Sequence, residues 1–394
     1  MILEVQIMGN IITYVQTEMR TMKQKPFCAV DSLVLSELAY VNFGSAVSGM
    51  RLFAKAAPLS QLYRAELFAD MFRPTHPSIA AQPKDHEIYC TTSRHAMMSA
   101  AAASPRFRDI RVRFHEDTFD VEQQQQFSAV TFQLEDDTAF IAFRGTDMSI
   151  VGWKEDLNMA YLSPVPSQQA AAEYLDAVGK RLPFTQKLRV GGHSKGGNLA
   201  VYAAMKCSPS VQRRIIDIYN HDGPGFRNSV LETPEYRAIE SRVRKILPES
   251  SFVGMLLADT QSYRVVESTG FGVMQHDAFT WVVNNGDFAY AEKLTDGALY
   301  MHRTLSDWLD SMPDAQRRQL VETIFRLIET TKAQSVADLT EAWGKSAVTM
   351  LGTYRSLEPE SRKILSHVVG ALIKMSVRNL RKEKAAKEKP SSAE

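Results

Sequence analysis

One stretch constrains this chain more than any other: Val190-Gly191-Gly192-His193-Ser194-Lys195-Gly196-Gly197-Asn198-Leu199-Ala200. An apolar run, Leu188–Val190, precedes the turn, and a helix-forming run, Leu199–Met205, follows it. The pattern therefore reads strand, tight turn, helix, with Gly-x-Ser-x-Gly across the turn, the setting of a nucleophile elbow. Such a turn holds its serine on strained backbone. Side chains two residues to either side would collide with the neighbouring helix and strand, so Gly192 and Gly196 are required. The hydroxyl then stands above the strand ends, where the first helical turn directs free N–H groups. This predicts Ser194 as a nucleophile and the Lys195 N–H as a donor to a developing oxyanion.

The rest of the chain supplies a sheet for that turn. Phe127–Leu134 and Ala139–Phe143, joined by Glu135-Asp136-Asp137, carry a hairpin signal. Gln168–Arg181 has a helical face of Ala171, Tyr174, Leu175 and Val178. Ile215–Tyr219, Val243–Leu247 and Tyr263–Val266 are further strands. Strands alternating with helices predict an α/β fold with a mainly parallel sheet between helices. Residues 1–115 are expected to be a helical region packing on or capping a core over 116–300, with Asp31 and Ser32 capping a helix. Residues 301–380 are expected to be helical again, with Leu320, Ile324, Leu327 and Ile328 at helical spacing, and 381–394 to be a basic, disordered tail. No internal repeat is present.

Composition removes several classes of function. Lys+Arg total 46 and Asp+Glu 45, a net charge of +1, which does not provide the basic face a nucleic-acid binder needs. The excess sits at the C-terminus, where Arg378, Arg381, Lys382, Lys384, Lys387 and Lys389 outnumber Glu383 and Glu388. Only that tail carries an expectation of weak membrane-surface contact. The N-terminus has no basic start and no small-residue cleavage site, so no secretory leader is expected. Cys28, Cys90 and Cys207 are scattered, with no CxxC and no metal spacing. Reduced thiols, a cytoplasmic location, no metal and no cofactor are the expectations. Oligomeric state is not legible.

A second segment belongs with the turn. Ala142-Phe143-Arg144-Gly145-Thr146-Asp147 follows an apolar strand, and Trp153 and Asp156 come soon after. Gly145 lets backbone approach a site, and the Thr146 hydroxyl and N–H are candidate oxyanion donors.

Ala-Phe-Arg-Gly-Thr with Trp and Asp, followed by Gly-His-Ser-x-Gly-Gly-x-Leu-Ala, resembles the class 3 lipase group of α/β-hydrolases. More closely, the chain resembles the uncharacterised bacterial Mbeg-like group. That likeness rests on Pro26–Leu33, Gly192–Ala200, His221–Phe226, Pro248–Leu256 and Gln275-His276-Asp277. It implies an α/β-hydrolase-type sheet with helical additions at both ends, and a serine hydrolase acting on a carboxylic ester of a small molecule or lipid. It names no substrate.

The order nucleophile, acid, histidine then assigns the remaining roles. His276 follows the last core strand and is the expected general base. His193 is expected to pack, His221 to be structural, and His302 and His367 to lie in the helical C-terminal region. Asp222, after the strand beside the serine strand, is the preferred acid. Glu249, one strand later, is the alternative; class 3 lipases carry an Asp there and this chain does not. Asp277 is a weaker candidate. Lys195 opposes the local helix dipole. It is expected to pair with Asp147 or Asp222, or to meet an anionic substrate group. Two rivals use the same scaffold: a non-catalytic binding or regulatory protein, and an acyltransferase.

Overall fold

The computed structural model describes residues 8–47, 49–50, 56–73, 85–147, 149–258, 262–310 and 312–330, with a few isolated positions beyond. The helix expected over the rest of 331–380 and the basic tail at 381–394 fall outside these residues.

Among the described residues, nine strands form one mixed sheet: β1 Ala57–Pro58, β2 Arg111–Asp120, β3 Gln125–Gln133, β4 Ala139–Phe143, β5 Leu188–His193, β6 Ile215–His221, β7 Val243–Pro248, β8 Tyr263–Val266 and β9 Tyr290–Ala291. Their order in space is their order in sequence. Strands β4 to β8 run parallel, with antiparallel pairs on either side. The β3–β4 hairpin is antiparallel, with Phe132 opposite Phe140. Strand β2 falls where sequence texture suggested only helix. Charged Arg111, Arg113, Glu116 and Asp117 and a register break between Arg113 and Glu116 obscure its alternation.

This strand order has a steric consequence. Right-handed crossovers that always step the same way put every connecting helix on one face of the sheet. Helix α5 (Pro166–Arg181) and helix α6 (Lys195–Lys206) cover that face, packing on Ala129, Ile141, Phe143, Val190 and Ile218. Pro166 opens α5, and the Gln168 side chain accepts from the Val165 N–H at 3.0 Å. The other face, lined by Phe132, Phe140, Ala142, Tyr219 and Ile246, needs a cover from outside the parallel run.

The N-terminal helices provide that cover. They are α1 (Ile11–Thr17), α2 (Ala29–Leu38) and α3 (Asp85–Ala103). Helix α2 is buried along its length, with Val30, Leu33, Val34, Leu35 and Leu38 at or near zero exposure. Ser32 turns to His221 instead of capping α2, but Asp31, in the first turn, does cap it. It accepts from the Cys28 N–H at 2.9 Å, from the Tyr14 hydroxyl at 2.8 Å and from both arms of Arg106. Helix α4 (Ile150–Asn158) follows β4, started by Ser149 accepting from the Gly152 N–H. Helices α7 (Asp296–Asp310) and α8 (Asp314–Thr330) close the described chain. No helix among the described residues is long and apolar enough to cross a membrane.

Candidate active site

The turn from β5 into α6 is built on two close backbone approaches. A Cβ on Gly192 would lie 2.2 Å from the Gly196 carbonyl carbon, and one on Gly196 would lie 2.1 Å from the Phe143 oxygen. Between them Ser194 is held at φ 57° and ψ −135°, a region that a residue with a side chain rarely enters. Its N–H donates to the His221 oxygen at 2.9 Å, tying the turn to the end of β6.

Three side chains meet there. His276 Nε2 lies 2.9 Å from Ser194 Oγ, and His276 Nδ1 lies 2.6 Å from Asp222 Oδ2. A carboxylate at Nδ1 assigns the ring proton to that nitrogen, which leaves Nε2 bare to accept the serine proton. Asp222 is fully buried. Its Oδ1 accepts from the Ser251 hydroxyl and from the Gly254 N–H at 3.1 Å. The Pro248–Met255 segment thus contributes donors to the Asp222 carboxylate rather than a carboxylate facing His276. Glu249 makes no bond to His276 among the described residues; its backbone pairs with Val266 and Thr295. Burial and neighbouring Glu267 raise the Glu249 pKa. Asp277 caps a short turn by accepting from the Phe279 N–H at 3.0 Å. His302 bonds to the Met255 oxygen at 2.6 Å, and His367 lies outside the described residues.

The N–H groups of Thr146 and Lys195 have no acceptor among the described residues. The Thr146 hydroxyl is not free alongside them, because it donates to Asp156 Oδ2 at 2.6 Å. Lys195 also departs from expectation. Its ammonium is fully buried and pairs with Glu155 at 2.9 Å and with the Gln126 oxygen at 2.8 Å, with Asp156 at 3.9 Å. It meets neither Asp147 nor Asp222, and it does not open toward a substrate. Glu155 is fully satisfied, accepting also from the Ser167 N–H and hydroxyl and from the Gln126 N–H. The cation that opposes the helix dipole is therefore held by carboxylates on α4, beneath the Arg-Gly-Thr loop.

Sequence reasoning missed a layer of polar side chains reaching the site from the N-terminal cover. His193 Nε2 donates to the His276 backbone oxygen at 2.8 Å, and its Nδ1 faces Glu37 Oε1 at 2.8 Å. Among the described residues neither His193 Nδ1 nor Glu37 Oε1 has another partner. Burial disfavours charge on both groups, and their mutual attraction outweighs it: the His193 pKa is raised and the Glu37 pKa lowered. Arg94 Nε lies 3.6 Å from Glu37 Oε2, and the Arg94 guanidinium stacks on the Tyr40 ring at 3.9 Å. His221 is a buried structural histidine, bonded to the Ser32 hydroxyl at 2.8 Å. Glu37 and Arg94, on helices, and Tyr40, just past one, sit more than 90 residues upstream of Ser194 with no pattern that marks them. No group of His, Cys, Asp and Glu suited to a metal ion occurs among the described residues.

Comparison with known proteins gives a family. The family model described as Mbeg1-like matches residues 101–326. No curated protein matches the chain. Among solved structures, the chain is similar to M37 lipase, at 16% identity and a TM-score of 0.32 over 49% of this chain and 70% of that one. It is also similar to the extracellular lipase LipA from Serratia marcescens, at 16% identity and a TM-score of 0.27. That match covers 56% of this chain and 38% of LipA, so this chain spans well under half of that lipase.

Proposed function

The chain belongs to the Mbeg1-like family, and from that premise we propose that it is a serine hydrolase of α/β-hydrolase type that cleaves carboxylic esters. The observation that carries this reading is the hydrogen-bonded series Ser194–His276–Asp222 at a strained strand-to-helix turn. Ser194 Oγ attacks the ester carbonyl while His276 Nε2 takes its proton. Asp222 holds the imidazole in the required tautomer and stabilises the imidazolium. The oxyanion is held by the Thr146 and Lys195 N–H groups. Collapse expels the alcohol, which receives the proton from His276, and leaves an acyl group on Ser194. Water, deprotonated by His276, then releases the acid.

Apolar surface at the site supports an ester with an apolar acyl group. The segment leading to His276 exposes Phe271, Val273 and Met274 at 47%, 57% and 51%. Helix α3 adds Ile88 and Tyr89 at 49% and 45%. A fluorophosphonate probe tests the reaction class. It is expected to label the wild-type protein and not Ser194→Ala. Folded wild-type protein that resists the probe and hydrolyses no p-nitrophenyl ester would sink this reading.

A further inference from the structure

Tyr40 lies just beyond the end of α2, and its hydroxyl has reached the nucleophile turn. A Cβ built on Gly145 would be 2.2 Å from the Tyr40 hydroxyl, 2.6 Å from the His193 oxygen and 3.0 Å from Ser194 Cβ. One absent side chain's worth of space thus separates the phenol from the serine. Gly145 is the residue before Thr146, whose N–H has no acceptor among the described residues. The glycine of Arg-Gly-Thr leaves room for the phenol as well as for close backbone approach.

The hydroxyl has no hydrogen-bond partner among the described residues, while the rest of the ring is fixed. The Arg94 guanidinium covers the ring face at 3.9 Å, and Arg94 is itself held by Glu37. Tyr40 is half-buried, and its open hydroxyl stands beside the serine, where an oxygen that gains charge during the reaction can accept from it. A cation over the ring face draws electron density from the phenol and strengthens it as a donor. Burial raises the phenol pKa far above its ordinary value, so the group donates a hydrogen bond and keeps its proton throughout.

We propose that the Tyr40 hydroxyl is a third oxyanion donor, reaching across Gly145 to the tetrahedral intermediate beside the N–H groups of Thr146 and Lys195. This rests on the serine-hydrolase reading and extends it. No bond to Tyr40 is made or broken. The hydroxyl meets the oxygen only once that oxygen carries charge, so it lowers the barrier more than it tightens substrate binding.

Tyr40→Phe isolates the hydroxyl, since the ring and its contact with Arg94 remain. With p-nitrophenyl acetate, Tyr40→Phe is expected to lower kcat about 100-fold with KM within about twofold. Its affinity for a trifluoromethyl ketone, which forms the tetrahedral adduct with serine, should fall by about the same factor. Its thermal midpoint should match the wild type, because the hydroxyl has no partner in the resting protein. Three results would overturn the proposal: an unchanged kcat, a loss confined to KM, or a kcat loss with undiminished trifluoromethyl ketone affinity. Fluorophosphonate labelling separates the two levels. A labelled wild type with an unaffected Tyr40→Phe overturns the role of Tyr40 alone, whereas an unlabelled, inactive wild type overturns the hydrolase reading and this extension together.

Discussion

At Asp222 the segments that follow two strands meet on one carboxylate. Its Oδ2 serves His276, and its Oδ1 takes the Ser251 hydroxyl and the Gly254 N–H. Asp222→Asn replaces an acceptor at Nδ1 with an amide that no longer selects the tautomer. In the proposed mechanism kcat should fall by roughly three to four orders of magnitude with the fold retained. Glu249→Gln should stay within about twofold, as measured by ester hydrolysis; the reverse ranking would return the acid to Glu249. Lys195 is a matter of stability. Lys195→Met strands a buried Glu155 carboxylate and should lower the unfolding free energy by about 3–5 kcal/mol. Glu155→Gln on the same background should restore much of it, as read from urea midpoints. Ser194 and His276 were legible as candidates because a nucleophile turn needs glycines at fixed spacing and the histidine follows in a set chain order, whereas that order fits Asp222 and Glu249 alike and only the fold brings Asp222 to His276. The partner of Lys195 was not legible, because Glu155 is chosen by how α4 packs under the turn, and no local pattern encodes that packing.

At the level of elements, the β5–α6 turn and strand β2 are opposite cases. The turn was legible because its two glycines answer to backbone at 2.1–2.2 Å. Gly196→Ala therefore has no neighbouring side chain that can move aside. It should lower stability by more than about 4 kcal/mol or prevent folding, as seen in thermal unfolding. Strand β2 was hidden because its pattern switches face at a bulge, where Phe114 takes φ 53°. That strand also carries His115, whose pKa burial pushes down to about 4; burial pushes His221, at the end of β6, down to about 3. Both stay neutral in the folded protein while the unfolded chain takes up protons below about pH 6.5. Stability conferred by these sites is complete above that pH and falls as the pH drops toward 4 and 3. By pH 5 each should forfeit about 2 kcal/mol relative to pH 7. The urea midpoint should decline accordingly, and His115→Phe should remove its share of the decline; an identical pH dependence in that variant would contradict this assignment.

Over the whole molecule, the sheet's unbroken strand order decides what the N-terminus must do. With the crossover helices all on one face, the face of Phe140, Ala142 and Tyr219 depends on α2, and α2 brings Glu37 and Tyr40 to the site as it covers that face. The α/β class was legible from alternating strands and helices. The dependence on the N-terminus was not, because which face remains uncovered follows from the spatial order of the strands. It also sets a timetable for synthesis. Helix α2 leaves the ribosome ahead of the roughly 150 residues that separate Leu38 from Leu188 on β5. At about 5–20 residues per second, its apolar side chains wait roughly 8–30 s for the strand they will cover. During that interval the helix is a ready client for a holding chaperone, and the speed of translation decides how long it remains one.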